Sequence, residues 1–179
     1  MSTLKVNKII PTAGVPTGGG GGIIQVKQTV KTDTASTSST SFADVFTVAI
    51  TPTSSTSKIL LFGDLKIGYG GYQSAIMWKF VRTVSGSDTD LFIGDSDGNR
   101  TRSTWGTEEG SSSHGDAIYH IVTTHGMFLD SPNTTSAITY RVKWKAQENT
   151  GYLNRTGQDS NTAPYPRTAS SITVMEVSA

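Results

Sequence analysis

A chain of 179 residues, 35% hydrophobic and 16% charged, with a formal net charge of +1 and no cysteine, is the size of one ordinary domain with a thin core. The missing cysteine excludes a disulfide scaffold, a thiolate metal site and a thiol nucleophile. The near-zero charge argues against a nucleic-acid protein, which needs a concentrated basic face, and no apolar run approaches the ~20 residues of a membrane-spanning helix.

Serine and threonine make up about a quarter of the chain, and strong helix formers are few beside Thr, Val, Ile, Tyr and Phe, so strands are expected throughout. The opening Met1-Ser2-Thr3-Leu4-Lys5-Val6 lacks the basic and apolar regions of a secretory signal. Leu4, Val6, Ile9 and Ile10 form a short apolar patch, followed by Pro11, Pro16 and the glycine run Gly18 to Gly22, which cannot support a strand or helix interior. Residues 1–22 therefore read as an N-terminal peptide and swivel ahead of a domain over 23–179.

From Ile23 the apolar period is two. Ile24, Val26 and Val30 alternate with Gln25, Lys27, Thr29 and Lys31, the pattern of a half-buried strand. A polar loop is expected from Thr32 to Ser41, then a strand with Phe46, Val48 and Ile50 on one face. Lys58 to Ile67, the most continuously apolar run, predicts a central strand covered on both sides. Ser74 to Val84 places Ile76, Trp78 and Phe80 together. Leu91 to Ile93 reads as a short strand, and Ala117 to Leu129 as a long one with a bulge or bend at Gly126. Ala137 to Gln147 alternates most cleanly, with Ile138, Tyr140, Val142, Trp144 and Ala146 on one face. Tyr152-Leu153 and Ser171 to Val177 complete eight or nine strands. Such spacing predicts an all-β chain, an antiparallel β-sandwich of jelly-roll type behind an extended N-terminal peptide.

Chemistry is sparse. His114 lies in a polar loop, and His120 and His125 are five apart in strand-like sequence, poor spacing for a metal or a catalytic pair. No Gly-x-Ser-x-Gly elbow occurs. Asp95, Asp97 and Asn99 match the first oxygen ligands of a calcium loop, but Arg100 stands at its glycine position and Gly106 at its bidentate glutamate position. A turn held by Asp and Asn is the plainer reading. Asp88, Asp90, Asp95, Asp97, Glu108 and Glu109 could supply paired acids for glycoside hydrolysis, yet all sit in loop-like sequence with no fixed separation. No enzyme activity and no cofactor is expected. The sequons at Asn99, Asn133 and Asn154 read as chance in a Thr-rich chain. Tyr69, Tyr72, Trp105 and Tyr165 stand among glycine, hydroxyl and proline residues. Such rings suit a sugar or protein surface, or else they close the sandwich ends or a subunit interface.

The opening Ser2-Thr3-Leu4-Lys5-Val6-Asn7-Lys8-Ile9 resembles the start of many tail-fibre proteins of tailed bacteriophages. The body resembles small β-domains of phages of cyanobacteria and other marine bacteria. The matching stretches are Ser57-Lys58-Ile59-Leu60-Leu61, Ile93-Gly94-Asp95-Ser96-Asp97-Gly98-Asn99-Arg100-Thr101-Arg102 and Phe128-Leu129-Asp130-Ser131-Pro132, then Thr139-Tyr140-Arg141-Val142, Tyr152-Leu153-Asn154-Arg155 and Ser170-Ser171-Ile172-Thr173-Val174-Met175-Glu176-Val177. The resemblance implies a virion structural protein, a homotrimeric tail fibre or adhesin. Residues 1–17 would then attach to other virion proteins, with Leu4, Val6, Ile9 and Ile10 as the attachment contacts. The β-domain would meet a host-surface glycan or protein, with neither nucleic acid nor membrane insertion involved. A capsid decoration protein is the alternative, and a surface-polysaccharide depolymerase a remoter one, since the chain is short and irregular for a β-helix.

Overall fold

A computed structural model describes residues 22–109 and 116–178. The attachment residues Leu4, Val6, Ile9 and Ile10, with His114, lie outside them.

The described residues form eleven strands. They are β1 Ile23–Lys31, β2 Ala35–Thr37, β3 Ala43–Ile50, β4 Lys58–Tyr69, β5 Ser74–Val84, β6 Ser87–Leu91, β7 Trp105–Glu109, β8 Ile121–Asp130, β9 Ile138–Glu148, β10 Gly151–Leu153 and β11 Ser170–Val177. All pairings are antiparallel. In the first sheet β4 is central. One of its edges carries β8, and the other carries β11 then β1 along Lys58–Asp64, and β10 then β2 along Ile67–Tyr69. The second sheet runs β3-β9-β5, with β6 and β7 sharing the far edge of β5. The chain alternates between sheets (β1, β3, β4, β5, then β8, β9, β11), which makes the sandwich a jelly roll, as expected.

Alternation explains the core. Ile59, Leu61, Leu65 and Ile67 of β4 meet Ile76, Trp78 and Phe80 of β5 and Tyr140, Val142 and Trp144 of β9, all buried. The β9 phase is the expected one. The turn between β5 and β6 places Ser85 and Gly86 at φ +49° and +82°, the two positive values that a tight type I′ hairpin needs.

Five expectations need correction. Eleven strands form among the described residues where eight or nine were expected, one of them β7 from a stretch that reads as loop. Three-residue β2 occupies part of the expected Thr32–Ser41 loop, because its partner is the distant β10. The short strand near residue 91 is Ser87–Leu91 and ends before Phe92, whose φ is +50°. A 3₁₀ turn at Ala117–Tyr119 precedes β8. Gly126 makes no bulge, since the β4–β8 register runs unbroken from Ile59↔Asp130 to Gly68↔Ile121. A Cβ on Gly126 would lie 2.6 Å from Trp78 Cη2, and one on Gly63 lies 2.9 Å from Phe80 Cζ. These paired glycines open a pit in the first sheet for aromatic rings of the second.

Glu176 of β11 is buried yet ionised among donors. Gln25 Nε2 donates to it at 2.6 Å, and the Thr53 amide and hydroxyl both donate at 2.7 Å. Burial alone would raise this carboxyl, but hydrogen bonds from Gln25, Thr53 and Ser57 outweigh it and hold it below the ordinary glutamate value of 4.5. A carboxyl lowered by folding stabilises the fold above its unfolded value and loses that contribution as the pH falls through the folded value. The chain should therefore lose stability on acidification below about pH 4.5. Glu176→Gln should flatten that part of the curve in urea unfolding at stepped pH. Equal slopes would remove Glu176 as a source.

Candidate functional site

The aromatic residues separate into three environments. Tyr69 ends β4 and is 1% exposed within the core, so it has no surface to offer and is corrected from contact residue to core residue. Its glycine-rich flanks have a packing reason. A Cβ on Gly68 would lie 2.2 Å from the Arg155 carbonyl oxygen, and one on Gly70 lies 2.8 Å from that of Thr150. Trp105 opens β7 opposite Trp78 and packs half-buried against the core, so it too is no free loop ring. Tyr72 is exposed in the β4–β5 turn, whose backbone accepts a 2.8 Å hydrogen bond from Asn149 Nδ2. Tyr165 stacks on exposed Tyr119, with ring centroids 5.9 Å apart and planes 18° apart.

Tyr72 and Tyr165 occupy the same pole of the sandwich. There the β4–β5 turn, the β9–β10 turn, the 3₁₀ turn and the long β10–β11 loop interlock, through Gly70 N to Thr150 O at 2.8 Å and Gln158 N to Ile118 O at 2.8 Å. A shallow cavity of about 280 Å³ opens in that loop, lined by Asp159, Ser160, Asn161, Thr162, Tyr165 and Arg167. Arg167 pairs with Asp159, and the Arg155 guanidinium lies 3.7 Å over the Tyr152 ring. Hydroxyls, an amide, a fixed ion pair and stacked rings can grip the hydroxyls and the apolar face of a sugar, or a polar protein loop. Exposed Tyr119 and half-buried Tyr152 join this group without being singled out in the sequence, because each sits inside strand-like alternation.

The remaining candidates disperse. Asp95, Asp97 and Asn99 lie exposed in the β6–β7 loop. Arg100 holds the Asp97 carboxylate, its amide donates to the Asp97 carbonyl, and Gly98 has φ +53°. That is a self-contained turn. Asp88 and Asp90 are on strand β6 rather than in a loop, bound by Lys143 and Lys79 at 2.8 and 2.6 Å, and Glu108 and Glu109 are in β7. No group of three or more His, Asp or Glu converges among the described residues. His120 follows the 3₁₀ turn, while His125 is on the outer face of β8, stacked on Phe62 at 5.8 Å. Asn154 is fully buried, its Nδ2 donating to the Lys31 and Asp33 carbonyls at 2.7 and 2.9 Å. It is a structural tie, with no exposed amide for a glycan.

No protein-family model matches the chain, and no curated protein does. Among solved structures it is similar to the VP2 subviral particle of infectious bursal disease virus, with TM-score 0.41 and 7% identity over 87% of this chain and 40% of that one. The Gx strain structure of the same virus gives TM-score 0.36 and 10% identity over the same shares. The Gt strain structure gives 0.35 and 7% over 87% and 38%. The chain thus spans about two fifths of the length of these structures.

Proposed function

We propose that the chain is a virion structural protein, a homotrimeric phage tail fibre or adhesin, without enzymatic chemistry or cofactor. Its N-terminal segment attaches it to the particle, and the tyrosine-bearing pole contacts a glycan or protein of the host surface. The observation that carries this reading is the separation of the two ends. Gly22, where the N-terminal segment joins the sandwich, is hydrogen-bonded to Ser178 beside the Lys58 end of β4. Tyr72, Tyr119 and Tyr165 lie at its Tyr69 end. The twelve residues of β4 set the two roughly 35 Å apart at ~3.3 Å per residue. A domain held at one pole thus presents its exposed rings at the other, and repeated copies would convert weak single contacts into firm adhesion.

Two measurements test it. Alanine at Tyr72 and Tyr165 together should lower binding of the purified chain to host cells about tenfold or more, as expected for aromatic anchors. Unchanged binding would exclude this pole as the contact surface. Imaging of virions lacking the chain should show lost fibres. A smoother or fragile head would favour capsid decoration instead, and particles indistinguishable from the parent would sink both.

A further inference from the structure

The two outer faces of the sandwich are unlike. The outer face of the second sheet carries Arg141, Lys143 and Lys79, paired with Asp44, Asp88 and Asp90 at 2.6 to 2.8 Å, and Lys79 also caps the Phe42 ring at 4.4 Å. That is a finished, solvated surface. The outer face of the first sheet is apolar. Register places Val26, Met175, Leu60 and Leu129 in one row across β1, β11, β4 and β8, with Phe62 and Met127 adjacent in the next row. Val26 is 51%, Phe62 38%, Met127 62% and Leu129 51% exposed.

Two expectations fail together at this face. Strand β1 turns Val26 and Val30 outward and its polar residues Gln25, Lys27 and Thr29 toward the inner side, where Gln25 meets Glu176. Strand β4, whose sequence reads as covered on both sides, is covered by the described residues on one side only along Leu60 and Phe62. In each strand the apolar residues are those of a buried face, and none of the described residues covers them.

We infer that this face is covered by another copy of the same chain. Together with Ile23 and Val30 the exposed side chains leave on the order of 500 Å² of apolar surface open, at the upper end of a monomer's ~300–600 Å² patches. That is more than half of the ~800 Å² each partner gives to a standard interface. Of its bordering charges, Lys66 pairs with Asp64, while Lys58, at the end of β4, donates to the neutral Ser131 hydroxyl at 2.7 Å. Two copies that meet with Lys58 left at the solvated rim therefore bury no unpaired charge, and the apolar centre of the patch offers nothing to select an acidic or basic stranger. This deepens the reading of the chain as a multi-copy part by giving the surface its copies share.

Light scattering on the purified full chain should give a mass two or three times that of one chain, and Phe62→Lys with Met127→Lys should reduce it to the monomer while the circular dichroism spectrum is kept. Because the chain has no cysteine, Met127→Cys supplies a sole thiol that reads the same face without a charge. It should react with a maleimide at least tenfold more slowly than Ala49→Cys, which sits exposed on the opposite sheet. A multimer unchanged by the lysines, or equal labelling of the two thiols, would overturn this surface and leave self-association standing. A monomeric parent chain would overturn both the surface and the trimer. A dimer that dissociates as expected would uphold the surface and remove only the threefold count.

Discussion

Replacing Asp130 with alanine should cost about 3–5 kcal/mol of folding stability, the range for leaving one partner of a buried ion pair alone. Asp130 ends β8 in the first sheet and is buried. Its carboxylate accepts Arg82 Nη1 at 2.8 and 2.9 Å and the Tyr140 hydroxyl at 2.7 Å, both from the second sheet. Arg82 and Tyr140 are register partners on β5 and β9, so one carboxylate bolts three strands and both sheets together. Burial, with the Asp130 charge beside it, raises the Tyr140 phenol above its ordinary value, and the hydroxyl stays a donor. Urea unfolding should show the loss as a lower midpoint at constant slope. The double variant Arg82→Met with Asp130→Leu should recover much of it, because an apolar pair of similar volume avoids the stranded charge. A loss below about 1 kcal/mol for Asp130→Ala would place the bond among surface pairs of little worth.

Trp78→Ala should cost a similar ~3–5 kcal/mol. The ring is fully buried, meets Phe80 edge-on at 5.2 Å and 77°, and donates from Nε1 to Thr124 Oγ1 at 2.9 Å. Its seat is the pit over Gly63 and Gly126. Gly126→Ala should therefore cost roughly 1–3 kcal/mol by overpacking, although alanine is an ordinary residue in a strand interior. The two sites should be coupled. In a Trp78→Phe background the smaller ring leaves room for the new methyl, so Gly126→Ala should cost much less than in the parent. Additive losses in that double-mutant cycle would mean the glycine serves something other than the indole.

The strands whose partners lie next to their own core were legible from period alone. In β9, Tyr140, Val142 and Trp144 face inward just as their alternation with Arg141 and Lys143 suggests. In β1 the same alternation pairs Val26 with Val30 correctly and still says nothing about which way they point. Apolar alternation records that a face leaves water, and the molecule that removes it from water need not be the same chain. β2 and β7 went unread for another reason. Ala35–Thr37 has three residues and a partner more than a hundred positions away, and Trp105–Glu109 contains Gly106, Glu108 and Glu109, poor strand formers held by pairing with β5. Tyr69 misled because the glycines that admit neighbouring carbonyls look like loop glycines. The tyrosine pole was half legible, through Tyr72 and Tyr165, while its assembly from four separate loops depends on contacts distant in sequence.

The route by which force would cross this domain follows from where β1 begins. A pull delivered at Gly22 runs along the axis of β1, out of the pole at which β11 also ends, while a grip on the tyrosine loops holds the far ends of β4 and β5. Eight register pairs between β1 and β11 are then sheared side by side, and they must rupture nearly together instead of unzipping in turn. The same geometry continues from β11 into β4. A domain loaded this way would resist a brief tug through strand direction more than through the size of its core.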